Sequence, residues 1–97
     1  MSTYFVLLNW TDQGVKNIKD SPKRVDAAKK AVKDIGGEVK SFYMLQGIYD
    51  AVLILEMPND GALAKFLLNI CSLGNVRTTT LRAYPETEYR KIIGELG

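Results

Sequence analysis

At 97 residues, with 46% hydrophobic, 25% charged and 9% aromatic side chains, the chain has room for one globular domain with a single core. It holds no histidine and one cysteine, which excludes Ser-His-Asp and Cys-His nucleophile systems, histidine-anchored metal and haem sites, internal disulfides and CxxC motifs. Thirteen Lys and Arg against eleven Asp and Glu leave a formal charge of +2, too even a balance to indicate a nucleic-acid or membrane partner.

From Thr3 to Trp10, β-branched, aromatic and aliphatic residues predict a strand that is apolar on both faces, with Thr11-Asp12 as its stop. An irregular stretch or single helical turn carrying Val15 and Ile18 leads to Ser21-Pro22, a capping residue followed by a proline suited to the first helical position. The helix opened there runs to about Ile35, places Val25, Ala28, Val32 and Ile35 on one stripe, and ends at Gly36-Gly37. Glu38 to Leu45 and Asp50 to Met57 read as two strands joined as a hairpin through Gln46-Gly47-Ile48-Tyr49. Pro58-Asn59-Asp60 opens a second helix with the stripe Leu63, Phe66, Leu67 and Ile70; Gly74-Asn75 closes it, and Val76 to Ala83 is a fourth strand. Pro85, Glu86 and Glu88 start a short terminal helix whose docking face is Tyr89, Ile92, Ile93 and Leu96. The order βαββαβ with an extra helix predicts an α+β, ferredoxin-like fold, one domain over residues 1–97 with a four-stranded antiparallel sheet.

Closing the hairpin symmetrically pairs Leu45 with Asp50, Tyr43 with Val52, Ser41 with Ile54 and Val39 with Glu56 on one face. Phe42, Met44, Leu53, Leu55 and Met57 then meet the helices, and Phe5, Leu7 and Leu81 are expected with them. The first face gathers Tyr4, Val6, Leu8, Trp10, Ser41, Tyr43, Val52, Ile54, Thr78, Thr80 and Arg82, more apolar bulk than a solvated face should carry. A second copy of the same sheet is the expected cover, giving a two-fold dimer with a semi-polar cavity between the sheets; the alternative is the terminal helix folding over that face within one chain.

The segments Tyr4 to Gly14, Lys19 to Arg24, Gly47-Ile48-Tyr49-Asp50 and Gly74 to Ala83 together resemble the GYD domain family over nearly the whole chain. The resemblance implies a dimeric α+β barrel, in agreement with the two-faced sheet, and supplies candidate positions without a reaction.

Each candidate has two readings. Gly47-Ile48-Tyr49-Asp50 is a hairpin with a positive-φ glycine and an Asp bonding nearby backbone N–H groups, or a cavity mouth where Tyr49 is a donor and Asp50 a base. Trp10 plugs the barrel end or stacks on a flat ligand with Asn9 or Thr11 giving polar contacts, and Tyr43 shares that ambiguity. Thr78, Thr80 and Arg82 bind an anionic group, or Arg82 pairs with Glu56 across the sheet or the dimer. The basic residues between Lys16 and Lys33 form a solvated helix face, and Cys71 is a small packed hydrophobe.

The expectation is a cytoplasmic homodimer, with higher oligomers open, that binds a small, partly apolar organic molecule between its sheets. No metal, cofactor, nucleic acid or membrane partner is expected. As an enzyme it would carry out cofactor-free oxygenation, isomerisation or dehydration, with Asp50, Tyr49 and Arg82 catalytic and Trp10, Tyr43, Asn9 and Thr80 binding. The alternatives are a non-catalytic ligand-sensing or regulatory module and a purely structural assembly partner. Met1-Ser2-Thr3-Tyr4 shows no basic segment leading into an apolar one, so no signal peptide is expected.

Overall fold

In a computed structural model that describes residues 1–97, the strands are β1 (Ser2–Trp10), β2 (Glu38–Met44), β3 (Ala51–Met57) and β4 (Val76–Ala83). The helices are α1 (Asp12–Lys16), α2 (Ser21–Asp34), α3 (Asp60–Ser72) and α4 (Glu86–Gly94), with a 3-10 turn at Ile18–Asp20. The sheet order is β2-β3-β1-β4, with every neighbouring pair antiparallel. This is the ferredoxin-like α+β arrangement, and the element boundaries lie close to those expected, except that Ser21 is the first helical residue of α2 and does not cap it: the residue before it is Asp20, whose side chain makes no capping bond. Thr11 caps α1 by accepting from the Gly14 N–H, and the Asn59 side chain does the same for α3 from Ala62 at 2.8 Å.

Register decides which face each strand presents. Val6 stands opposite Leu53, and Leu53 opposite Phe42, so Tyr4, Val6 and Leu8 share the helix side with Leu53, Leu55 and Met57. There they meet Val32 of α2 and Leu63 and Phe66 of α3. Phe66, Leu55, Met57, Val6 and Val32 are the largest fully buried side chains, each contributing about 1.5–3 kcal/mol by leaving water.

The expected phase of β1 and β4 is therefore reversed. Phe5, Leu7 and Leu81 lie on the open face with Tyr43, Val52 and Ile54, whereas Trp10, Thr78, Thr80 and Arg82 lie on the helix side. The alternation of β1 did not discriminate, since both of its residue sets are apolar; pairing with β3 does. A second correction concerns β2, where a bulge between Val39 and Ser41 sets Glu38, not Val39, opposite Glu56. The displaced Lys40 places its Nζ 3.6 Å from both carboxylates, which offsets two like charges facing one another across the ladder.

α4 is not packed as a cover. Tyr89, Ile92, Ile93 and Leu96 all remain exposed, and the molecule measures 53 × 30 × 17 Å. No helix is long and apolar enough to cross a membrane. Behind the sheet, α2 and α3 stand apart and leave a cleft of about 420 Å³ over Leu8, Trp10, Phe42 and Leu53.

Candidate functional site

Three of the sequence motifs converge at the C-terminal end of β1. Gly47 takes φ +139, a backbone conformation that favours glycine, in the loop that returns the chain to β3. The Asp50 backbone N–H donates to the Leu8 carbonyl at 2.8 Å, and its carboxylate Oδ2 accepts from the Trp10 N–H at 2.9 Å. The Asn9 side-chain amide donates to the Ile48 carbonyl at 2.8 Å. Asp50 and Asn9 thus tie the hairpin to β1 where the regular ladder between β1 and β3 stops.

The third motif completes this end. The Thr11 N–H donates to the Asn75 carbonyl at 3.0 Å, the Thr11 hydroxyl donates to the Gly74 carbonyl, and Gln13 Nε2 donates to Leu73 O and Asn75 Oδ1, both at 3.0 Å. Gly14 is pressed so close that a Cβ there would meet the Asn75 carbonyl oxygen at 2.1 Å. α1 is therefore a clamp on the turn between α3 and β4. These bonds occupy backbone groups at strand and helix ends, which must be satisfied wherever they are shielded from water.

Arg82 lies at the other end of the sheet. It stands opposite Tyr4, while Asp50 bonds Leu8, a separation of about 13 Å at the rise of a strand. A single chain therefore does not bring Asp50 and Arg82 to one reacting atom. Arg82 also does not pair with Glu56, which lies on the opposite face and is held by Lys40. Its guanidinium instead meets Glu88 of α4 at 3.5 Å, donates to the Thr3 carbonyl at 3.2 Å and stacks 4.3 Å from the Tyr84 ring. It serves as the joint between β4 and α4.

Beside it, the buried Tyr4 hydroxyl donates to the Asp60 carboxylate at the start of α3. The hydrogen bond to Asp60, burial and the carboxylate's charge raise the Tyr4 phenol above its ordinary value of 10.0, since each favours the protonated form. Sequence reasoning missed this pair because the partners are 56 positions apart and Asp60 reads as a plain helix-start acid.

Of the other expected site residues, Asn9 and Tyr43 lie on the open-face side, Tyr43 being 58% exposed. Tyr49 is half-buried in the hairpin loop. Trp10 lines the cleft between α2 and α3, and Thr80 sits half-buried on the helix side of β4. No three His, Cys, Asp or Glu side chains are grouped so as to share a metal ion. What remains uncovered is the open face, where Phe5 and Leu81 are 37% and 51% exposed.

The family model of the GYD domain matches residues 4–93. The chain belongs to the GYD domain family. A relative of this GYD domain in Thermus thermophilus, named glutamine synthetase and cystathionine beta-lyase binding protein, is 33% identical over 86 residues, covering 88% of this chain and 90% of that protein. The crystal structure of TTHA0845 from Thermus thermophilus is 31% identical and superposes with a TM-score of 0.55 over 88% of this chain and 99% of its own. The crystal structure of an FFRP protein, 21% identical, superposes with a TM-score of 0.60 over 87% of this chain and all of its own, and is similar in fold. Within the GYD domain, the glycine, tyrosine and aspartate of the loop divide their roles. Gly47 supplies the turn, Asp50 ties the loop to β1, and Tyr49 stands half-buried between Ile48 and Asp50.

Proposed function

We propose that this GYD domain is a non-catalytic binding module that pairs with a second copy through its open sheet face and binds another folded protein. The observation that carries the reading is that face itself. Phe5, Tyr43 and Leu81 are exposed on it, with Leu7 and Ile54 half-buried beside them, while the two long helices are committed to the opposite side. An apolar antiparallel face of this kind gains by packing against another sheet. Four strands spaced about 4.8 Å apart and eight residues long span roughly 500 Å² in projection, short of the roughly 800 Å² per partner of a standard stable interface. The exposed Tyr89, Ile92 and Ile93 of α4 are placed to supply the remainder.

The name of the Thermus relative supports a metabolic enzyme as the further partner. The separation of Asp50 from Arg82, and the engagement of both in structural bonds, favour this reading over cofactor-free catalysis. With Trp10, Thr80 and Arg82 behind the sheet, a small organic molecule between the sheets is not required either. A reducing compartment suits the single free thiol of Cys71.

Sedimentation equilibrium at micromolar concentration should give twice the mass of one chain, and Leu81→Glu should give single chains that keep the native circular dichroism spectrum. Calorimetric titration with purified glutamine synthetase and cystathionine beta-lyase from the same organism should then show saturable heat with at least one. A monomeric parent chain, or no heat with either enzyme, would count against the corresponding half of the proposal.

A further inference from the structure

The cleft between α2 and α3 has a composition that the binding reading does not use. In a two-layer α+β domain the helices ordinarily close over the sheet, yet here about 420 Å³ stays open above Leu8, Trp10, Phe42 and Leu53, within the range of small-molecule sites. The cause lies in the small residues of one helix. Ala27, Ala28 and Ala31 of α2 line the space, so that helix offers too little bulk to meet Ile70 and Leu73 on the far wall. Empty apolar volume of this size forfeits dispersion contacts along its whole lining.

Its electrostatics are one-sided. Arg24 is the only charged residue on the lining, and no Asp or Glu contributes to it. Arg24 takes part in none of the chain's ion pairs. Its Nη1 donates to the Asn17 carbonyl at 3.0 Å and its Nη2 to the Gly14 carbonyl at 3.4 Å, two bonds from a group with five N–H donors. The guanidinium is thus held in place by neutral backbone and keeps both its charge and spare donors. A single half-buried cation at the rim of an apolar space is complementary to a single anion with an apolar body.

We propose that this cleft is a binding site for a small amphipathic monocarboxylate, its carbon skeleton against Trp10, Phe42 and Ile70 and its carboxylate on Arg24. The proposal does not depend on pairing of the open faces, since the cleft lies behind the sheet and is complete within one chain. Trp10, the chain's only tryptophan, reports occupancy directly.

The test titrates 4-phenylbutyrate and, separately, 4-phenylbutanol into the full chain while Trp10 emission is followed. The expected result is a saturable change with both, the carboxylate binding at least tenfold more tightly. Arg24→Gln should erase that tenfold preference and leave alcohol binding within twofold. Ala28→Phe, which fills the volume, should abolish both changes. Amide shifts in the parent chain, with 4-phenylbutyrate as the probe, keep the question answerable should either variant fail to fold: they should centre on residues 24–31 and 69–76. No saturable change, equal affinity for acid and alcohol, a preference that survives Arg24→Gln, undiminished binding by Ala28→Phe, or amide shifts centred on Tyr43 and Leu81 would each overturn the assignment. Weakening of probe binding as protein concentration rises would place a second copy in the cleft and overturn it too.

Discussion

Tyr4 shows how one side chain couples core to helix. Its ring is buried beneath α3 while its hydroxyl is spent on Asp60, so Tyr4→Phe should keep the packing and lose about 1.5–3 kcal/mol, the usual worth of a hydrogen bond to a charged group. Because the phenol's folded value is raised, the stability it adds is complete below its unfolded value near pH 10. That stability declines as pH rises through the folded value. Urea midpoints for parent and Tyr4→Phe should therefore differ at pH 8 and converge at strongly alkaline pH. Asp50 offers a complementary case. Asp50→Ala strips the Trp10 N–H of its acceptor and should cost about 1.5–3 kcal/mol, while Asp50→Asn keeps an oxygen in place and should cost under about 1 kcal/mol. If chemical denaturation instead ranked Asn and Ala as equals, charge rather than the hydrogen bond would be what the loop needs.

Among the elements, α1 buries only Gly14 and is held in place by polar connections. Its Thr11, Gln13 and Gly14 all bear on the turn Leu73 to Asn75. Gly14→Ala drives a methyl into a backbone carbonyl that has no rotamer to escape by, and overpacking of that kind costs about 1–3 kcal/mol. Hydrogen exchange should then quicken in residues 11–16 and 73–77 before it does so in β1 or β3. Most element boundaries were legible in the sequence because each has a local cause: Ser21-Pro22, Asn59-Asp60, and the apolar stripes of α2 and α3 act over a few residues. The phase of β1 was not legible, since Tyr4-Val6-Leu8 and Phe5-Leu7 are equally apolar and the choice rests on long-range pairing with Leu53 and Leu55. Nor was the β2 bulge, which no glycine or proline marks. With the phase went the expected site: Trp10, Thr80 and Arg82 changed sides together. The roles of Gly47 and Asp50 in turn chemistry were legible, being local.

At the scale of the whole molecule, apolar surface is left on the open face of the sheet and on the projecting α4, besides the cleft between α2 and α3. A chain that buries such surface only on pairing gains stability by mass action. The melting temperature should accordingly climb as protein concentration is raised from about 1 to 100 µM, and Leu81→Glu should flatten that dependence. A melting temperature independent of concentration in the parent would mean that the open face stays solvated. The cleft between α2 and α3 was out of reach of sequence reading, because it depends on how far apart two helices settle and not on any motif. The bulge at Lys40 has a consequence for growth as well as for charge. β2 is an edge strand, and unpaired edges invite further strands to add without limit. An irregular backbone with a lysine at its crest spoils the flat, repeating hydrogen-bond pattern that such addition requires. Open-ended strand addition at that edge is thereby discouraged.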